Sequence, residues 1–364
     1  MIEKDVVIIG SGISGLYISK LLEKKGIDFI TLEGNRSVGK YGNRIINNSV
    51  FKKLELDNTV ILRDIKKINF FSPSEIKIST SSEKSRGYVV NLRSLEMDLF
   101  ESLVNSDNIK FNQFVQKFDL KEGVIKTKDY DIKSKIIIFS SGILQDFIIY
   151  KLLLEKPQIV FCYTNEVEGH DEIATILDNN YAFGFYGWVM PLSGEVMEVG
   201  FGTSRLHELK GKDFNKILFS LPYIHRYRKN RKKRQMGGFI PISVINKKYG
   251  NNWILIGDAA GGEPLMGGSI HKSIDEALIA SKVIELFLNG KISNLDMYDK
   301  LWKNNFEKDI NEQEKIRNLI DKSSNYEMNR AFEKVKESQV KGEGLINDLF
   351  KNIIKNLENN KKNG

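Results

Sequence analysis

The chain has 364 residues, 41% of them hydrophobic and 28% charged, a balance that excludes a disordered protein and sets two or three substructures as the expectation. One cysteine, Cys162, excludes an intramolecular disulfide and any multi-cysteine metal or iron–sulfur centre, and points to a reducing compartment. Lys+Arg 55 against Asp+Glu 47 leaves a net charge of +8, which favours anionic partners without choosing among nucleic acid, anionic lipid and a phosphorylated substrate.

The N-terminus, MIEKDVVIIG, places two acids before a short apolar run that ends in glycine. It has neither the apolar length nor the cleavage site of a signal peptide. No segment approaches the roughly 20 apolar residues of a membrane span. The expected location is cytoplasmic, with attachment to the inner membrane face as a peripheral protein left open.

Asp5 to Ile9 is rich in β-branched residues and reads as a buried parallel strand. Glycines follow, then an amphipathic helix over about 14–25 with Leu16, Ile18, Leu21 and Leu22 inward, stopped at Gly26. Phe29 to Leu32 is a second strand ending at Glu33, which completes a β-α-β unit. From about Lys40 to Gly87 the pattern is irregular and strand-like. Tyr88 to Leu92 leads into a helix ending near Asn105. Lys110 to Lys128 alternates as strand and turn, and Lys135 to Phe139 is another buried strand. Gln158 to Gly202 alternates with many aromatics, as in an antiparallel sheet. Trp253 to Ile256 is a short buried strand, followed by a glycine-rich turn and a long helix to about Leu288. The remainder is helical and charge-rich.

The expected fold is α/β: a discontinuous Rossmann-like dinucleotide domain (1–50, 86–145 and 237–290), an inserted mixed-sheet substrate domain (51–85 and 146–236) and a C-terminal helical region (291–364).

Gly10-Ser11-Gly12-Ile13-Ser14-Gly15 is G-x-G-x-x-G, a weak pattern alone. Here it follows a strand, opens a helix and precedes Glu33 by 18 residues from Gly15, the context that a dinucleotide site requires. Gly10 permits the turn, Gly12 lets backbone approach a pyrophosphate, and Gly15 lets helix and strand pack closely. The helix N-terminus offers N–H groups and a positive dipole to phosphate. Glu33 can accept from a ribose 2′-OH, and its charge disfavours a 2′-phosphate.

A second cluster, Gly257-Asp258-Ala-Ala-Gly261 after a strand, then Pro264-Leu-Met-Gly267-Gly268-Ser269-Ile270 before a helix, separates FAD from NAD. A simple NAD dehydrogenase does not need it. In an FAD protein the aspartate can bind ribityl hydroxyls, and the helix N-terminus can face the electron-rich edge of the flavin.

These segments resemble the geranylgeranyl reductase family of flavoproteins, within the p-hydroxybenzoate-hydroxylase-like fold group. Gly257–Gly261 and Pro264–Gly268 are similar to the family's Gly-Asp-Ala-Ala-Gly, Pro-Leu and Gly-Gly elements. Tyr186-Gly187-Trp188-Val189-Met190-Pro191 resembles its Tyr-x-Trp-x-Phe-Pro signature, with a glycine-containing strand following to Gly202. Leu92-Arg93-Ser94, Gly238-Phe-Ile-Pro241 and Leu295–Trp302 resemble further family segments. The resemblance spans nearly the whole chain. It implies FAD contacts from Arg44, Arg93 and Val115 beside the two glycine clusters, and substrate contacts from Tyr186, Trp188 and Pro191. The implied activity is saturation of C=C bonds in geranylgeranyl or polyprenyl groups of membrane lipid precursors by hydride transfer from reduced flavin. No second dinucleotide motif is present, so electrons are expected from a docked reductant such as ferredoxin or from a reduced nicotinamide.

The chain departs from the family at three places. Met190 replaces a phenylalanine, the Gly262-Glu263-Pro264 stretch is one residue short, and Ser269 stands at a common third glycine. The segment Gly39–Arg44 also lacks the cysteine that some members carry, which excludes a mechanism using that thiol. A monooxygenase, halogenase or lycopene-cyclase-like reaction on the same fold, or a flavin electron carrier, remain alternatives.

Other residues carry paired readings. Tyr186 and Trp188 either wall an apolar channel or belong to the core. His271 and Tyr186 are the candidate proton donors, although a histidine at a helix start is more often a cap or packing residue. His170, His207 and His225 have no metal spacing, and no metal is expected. Cys162 reads as a buried, inert thiol. The basic run His225–Gln235 reads as a solvated helix or loop, or as a surface for lipid headgroups or a substrate phosphate; nothing favours nucleic acid. Leu345, Ile346, Leu349, Phe350, Ile353, Ile354 and Leu357 recur at helical spacing, as in a packed helix or an interfacial one.

Overall fold

The computed structural model describes residues 1–145, 150, 153, 155–337, 353, 355 and 358. The chain divides into two units. The first comprises Met1–Val60, Val90–Gln158 and Pro241–Ile310, and the second Ile61–Val89, Ile159–Ile240 and the chain from Asn311 onward. The C-terminal region is thus shared between them.

In chain order the strands are β1 (Ile2–Ile9), β2 (Phe29–Leu32), β3 (Asn43–Asn47), β4 (Ile61–Ile65), β5 (Lys67–Phe71), β6 (Lys77–Ser81), β7 (Gly87–Asn91), β8 (Ile109–Lys110), β9 (Lys117–Asp119), β10 (Val124–Lys126), β11 (Asp131–Phe139), β12 (Ile159–Glu168), β13 (Ile173–Ile176), β14 (Gly187–Pro191), β15 (Val196–Thr203), β16 (Lys232–Pro241) and β17 (Trp253–Leu255). The helices are α1 (Ile13–Lys24), α2 (Asn48–Leu54), α3 (Leu92–Glu101), α4 (Gly142–Gln145), α5 (Phe214–Leu218), α6 (Ile270–Leu288), α7 (Asp296–Trp302), α8 (Lys308–Asp321) and α9 (Asn325–Glu337).

The first unit is built on a seven-stranded sheet in the order β8-β2-β1-β11-β10-β9, with β17 also paired to β11. β1 runs parallel to both β2 and β11, and β11 runs parallel to β17. The Val6–Ile9 segment is buried on both sides, because helices cover the faces of a parallel sheet. Val7, Ile9, Ile30, Leu32, Ile137, Phe139 and Leu255 share one core cluster. From β1 the chain goes to β2 on one side and only later to β11 on the other. The crevice at the carboxyl ends of β1 and β11 is therefore a topological switch point, where doubly wound sheets bind ligands. Gly10, Glu33, Ser140 and Gly257 all lie at these strand ends.

The second unit holds a seven-stranded mixed sheet in the order β16-β12-β15-β14-β13-β5-β6. Most pairs are antiparallel, and β13 with β5 is parallel. One face packs Val167, Ala174, Ile176, Val189, Met197, Val199 and Phe201 against Leu218, Leu221 and Ile224.

Two stretches differ from their sequence reading. Within the irregular 40–87 stretch, residues 48–54 form α2, started by Asn47, whose side chain accepts from the Val50 N–H; this local cap outweighs the surrounding β-like composition. The basic run 225–235 is largely solvent-facing, with a turn and loop over 228–231, but its second half is a strand. It passes from a 3-10 turn (Ile224–Tyr227) into β16, the edge strand of the sheet, where Lys232 to Gln235 are all exposed. Lysines on an edge strand discourage pairing with another chain. Of the apolar C-terminal positions, Leu345, Ile346, Leu349, Phe350, Ile354 and Leu357 lie outside the described residues, and Ile353 is buried.

Candidate active site

The β1–α1 turn is shaped by contact distances that only glycine satisfies. Gly10 has φ +100°, and a Cβ there would sit 2.6 Å from the Ser141 Cα. A Cβ on Gly15 would lie 2.0 Å from the Gly10 carbonyl oxygen and 2.8 Å from Ser140 Oγ, so helix and strand touch at this point. Beside Gly12 the situation reverses: the nearest atom to an added Cβ is Glu96 Oε1 at 3.9 Å. Gly12 is the N-cap of α1 and no side chain caps that end. An open cradle lined by uncapped helix N–H groups fits a pyrophosphate.

Glu33 is buried, and its two oxygens accept four hydrogen bonds. Ser11 N–H and Oγ reach Oε2 at 2.8 and 2.9 Å, and Asn35 N–H and Nδ2 reach Oε1 at 2.8 and 2.7 Å. Burial pushes its pKa up, but the Asn35 and Ser11 bonds and the Lys40 charge outweigh that and hold it below the ordinary carboxylate value. The carboxylate is therefore ionised, as exclusion of a 2′-phosphate requires. Gln113 N–H donates to the Glu33 carbonyl at 2.8 Å, which carries the following segment, with half-buried Val115, alongside this strand end.

Arg44 and Arg93 are exposed. Arg93 packs its stem on Gly39, where a Cβ would lie 2.8 Å from its Cγ, and Arg44 donates to the Asn43 carbonyl at 2.8 Å. Glu96, which the sequence did not single out, is buried on α3 and accepts the Gly39 and Lys40 N–H groups at 3.0 and 2.8 Å. It ties the 39–40 loop to α3, beside the β1–α1 turn.

On the other side of the switch point, β17 ends in the 3-10 turn Gly257–Ala260. The Asp258 carboxylate is raised above its ordinary pKa because burial outweighs the charges of Lys272, Arg44 and Lys40; no hydrogen bond from a described residue contributes. A Cβ on Gly268 would sit 3.0 Å from Asp258 Oδ1, so the α6 entry loop passes directly over this acid. Ser269 is the N-cap of α6 and accepts from the Lys272 N–H at 3.2 Å; Ile270 is the first helical residue. An acid lacking donors beside a helix N-terminus fits a polyol chain and an electron-rich ring edge.

Beneath this turn lies a buried polar group that the sequence also did not reveal. Glu276 accepts from Gly257 N–H at 2.7 Å, Lys272 Nζ at 2.8 Å and Trp302 Nε1 at 2.8 Å. Lys248, itself buried, places its ammonium 3.6 Å from the Trp302 ring centroid. Burial pulls the Lys248 pKa down to about 8. The Lys272–Glu276 spacing of four was visible in the sequence, but it reads as a surface helix pair until packing shows both side chains inside.

His271 lies in the first turn of α6. Its Nε2 is 2.9 Å from Glu263 Oε1 and its Nδ1 is 3.1 Å from Ser269 Oγ.

In the second unit, Tyr186 stacks on Phe185 with ring centroids 4.1 Å apart and meets Trp188 edge-on at 6.2 Å. Trp188 lies across Gly200, where a Cβ would be 2.3 Å from its ring, and its Nε1 donates to Glu198 Oε1 at 3.1 Å. Glu166 stands opposite Glu198 in the β12–β15 ladder, and both are buried. Strand alternation sets Pro191 on the other sheet face from Trp188, so the structure groups Tyr186 with Trp188 and not with Pro191. Half-buried Cys162 is opposite Gly202 on the Trp188 face.

No family model matches the chain. The digeranylgeranylglycerophospholipid reductase of Methanocaldococcus jannaschii is 26% identical over 368 residues, covering 92% of this chain and 91% of that protein. A geranylgeranyl bacteriochlorophyll reductase-like structure from Thermoplasma acidophilum superposes with a TM-score of 0.84 at 20% identity, covering 99% of each chain. An HpxO variant of Klebsiella pneumoniae, solved with FAD, superposes with a TM-score of 0.69 at 12% identity, covering 98% of each. The chain is thus an FAD-dependent oxidoreductase with the fold of this flavoprotein group. Within the group, the relatives named as geranylgeranyl-lipid reductases are those whose motifs this chain's resemble.

Proposed function

We propose that the protein saturates C=C bonds in the geranylgeranyl groups of a membrane lipid precursor. The observation that carries this reading is the likeness, over more than nine-tenths of both chains, to an enzyme named for reduction of such a lipid. Bound FAD, once reduced, supplies the hydride.

The chain's own residues do the rest. The Gly12 cradle and α1 N-terminus hold the pyrophosphate, and Glu33 receives the ribose. Asp258 takes the ribityl hydroxyls, and Ser269 and Ile270 face the ring edge. Arg44, Arg93, Val115, Gly267 and Gly268 border the cofactor. Tyr186 and Trp188 present aromatic surface to the prenyl chain. An unactivated alkene is a poor hydride acceptor, so a dry and closely fitted site has to align hydride and proton transfer. Electrons come from a docked reductant or a reduced nicotinamide. Among the described residues no helix is long and apolar enough to cross a membrane. The exposed cations of the 226–234 segment are the part of the chain suited to lipid phosphate.

The test is to reduce the FAD-loaded protein without oxygen, add a geranylgeranyl lipid, and record flavin reoxidation and product mass. A gain of two hydrogens per saturated bond supports the reading. An oxygen-dependent gain of an oxygen atom assigns a monooxygenase instead, and a lipid left unchanged rejects the proposal.

A further inference from the structure

We propose that Glu263, His271 and Ser269 form a proton-delivery group, in which His271 holds the proton that the saturated bond receives. The proposal rests on the reductase reading above.

The three side chains form one contiguous polar cluster. Glu263 sits in the loop before α6, where its N–H meets the Gly267 carbonyl at 3.0 Å and the Gly267 N–H returns to its own carbonyl at 2.8 Å. This closed loop fixes the glutamate backbone. The carboxyl is only 7% exposed and lies 2.9 Å from His271 Nε2. Ser269 Oγ lies 3.1 Å from Nδ1 and 3.5 Å from Nε2. The imidazole is 48% exposed, so solvent can return a proton to it.

A capping role does not account for this arrangement. Ser269 already caps α6 through the Lys272 N–H. A cation in the first turn of a helix is opposed by the dipole. A buried carboxylate without a charged partner is costly. The pair makes sense if the imidazole is to carry charge where charge is otherwise disfavoured. The groups acting on it come from each neighbouring element. Partial burial and Lys272 oppose protonation, while Glu263 and, more weakly, Asp275 favour it; the balance lifts His271 above the ordinary imidazole value. Asp275 is itself paired with Lys53 of α2 at 2.5 Å.

Ser269 also lies at the helix end assigned above to the cofactor's ring edge. The hydride and its electron pair leave reduced FAD for one alkene carbon. The π-bond electrons form a bond from the second carbon to the hydroxyl proton of Ser269. Ser269 Oγ takes the Nδ1 proton of His271, and solvent reprotonates the ring. The alkene is reduced by two electrons and FAD is oxidised by two.

The test uses full-length, FAD-loaded Glu263→Gln, His271→Asn and His271→Ala. The first readout needs no substrate: titration of the His271 ring proton by NMR. In Glu263→Gln its midpoint should fall below that of the native protein; an unmoved midpoint overturns the coupling. The second is anaerobic flavin reoxidation by geranylgeranyl lipid. His271→Asn should slow it by about a hundredfold or more with FAD content unchanged, and Glu263→Gln should move the alkaline limb of the pH–rate profile to lower pH. Added imidazole should restore part of the rate in His271→Ala. A His271→Asn protein with the native rate and pH profile overturns the proposal. A native protein that leaves the lipid unchanged overturns the reductase reading itself, with the proton step that depends on it.

Discussion

Replacing Glu33 by glutamine preserves shape and removes half of what the carboxylate does. Four donors converge on it: two from Ser11 and two from Asn35, at 2.7 to 2.9 Å. An amide keeps one acceptor oxygen and turns the other into a donor, so two of the four lose their partner. Hydrogen bonds to a charged group contribute about 1.5–3 kcal/mol each. Two lost bonds cost about 3–6 kcal/mol, partly offset because a neutral amide is cheaper to bury and the Ser11 hydroxyl can turn to accept from it. A net loss of about 2–3 kcal/mol follows, equivalent to a roughly 30- to 150-fold change in an equilibrium constant. The FAD-free variant should lose that stability to urea at pH 7, and its FAD affinity, followed by flavin fluorescence, should fall by a similar factor. The pH dependence has a defined sign. Glu33 is held below its ordinary pKa, so its stabilisation is present above the unfolded value near 4.5 and is lost as pH falls through the folded value. The native protein should show that acid loss and the variant should not. Equal urea midpoints and equal FAD affinity would refute the reasoning.

Other perturbations have equally definite outcomes. Gly15→Ala puts a Cβ 2.0 Å from the Gly10 carbonyl, where only backbone can yield; overpacking of this kind costs about 1–3 kcal/mol, so the melting temperature and FAD retention should both fall, and a native-like variant would contradict the packing. Lys248 has a folded pKa near 8 against 10.5 for the ordinary side chain. Between those values the unfolded chain binds more protons, so stability should rise with pH, by about 3 kcal/mol from this residue. In Lys248→Met that rise should disappear from denaturation curves between pH 8 and 10, and an identical slope would refute the assignment. Arg228, Lys229 and Lys233 are exposed. At about 1 kcal/mol per cation near an anionic surface, changing all three to glutamine should weaken sedimentation with anionic vesicles by about a hundredfold, and unchanged binding would exclude this face as a lipid surface.

What the sequence disclosed follows from the range of the interactions involved. The β1–α1–β2 unit, Glu33 and the Gly257-Asp258 turn were legible because each rests on neighbours in the chain: a β-branched run, a glycine turn, a helix start. Helix α2 was hidden inside a β-like stretch, although its Asn47 cap was a local signal. The strand β16 was hidden because cations resemble a solvated loop until a sheet edge receives them. Glu96, Glu263, Lys248 and the Lys272–Glu276 pair were invisible as site residues, since a buried charge differs from a surface one only through residues far away in sequence. Trp188 and Pro191 looked adjacent in a motif; alternation along β14 sets them on opposite faces.

Under the proposed function, reduced flavin in this protein gives its electrons to a prenyl double bond. The most direct measurement of this transfer is the ratio of flavin reoxidised to C=C bonds lost in a single anaerobic turnover with geranylgeranyl lipid. Equality is expected, with a saturated product that carries no added oxygen. Flavin that stays reduced until oxygen enters, with the lipid intact, would contradict it.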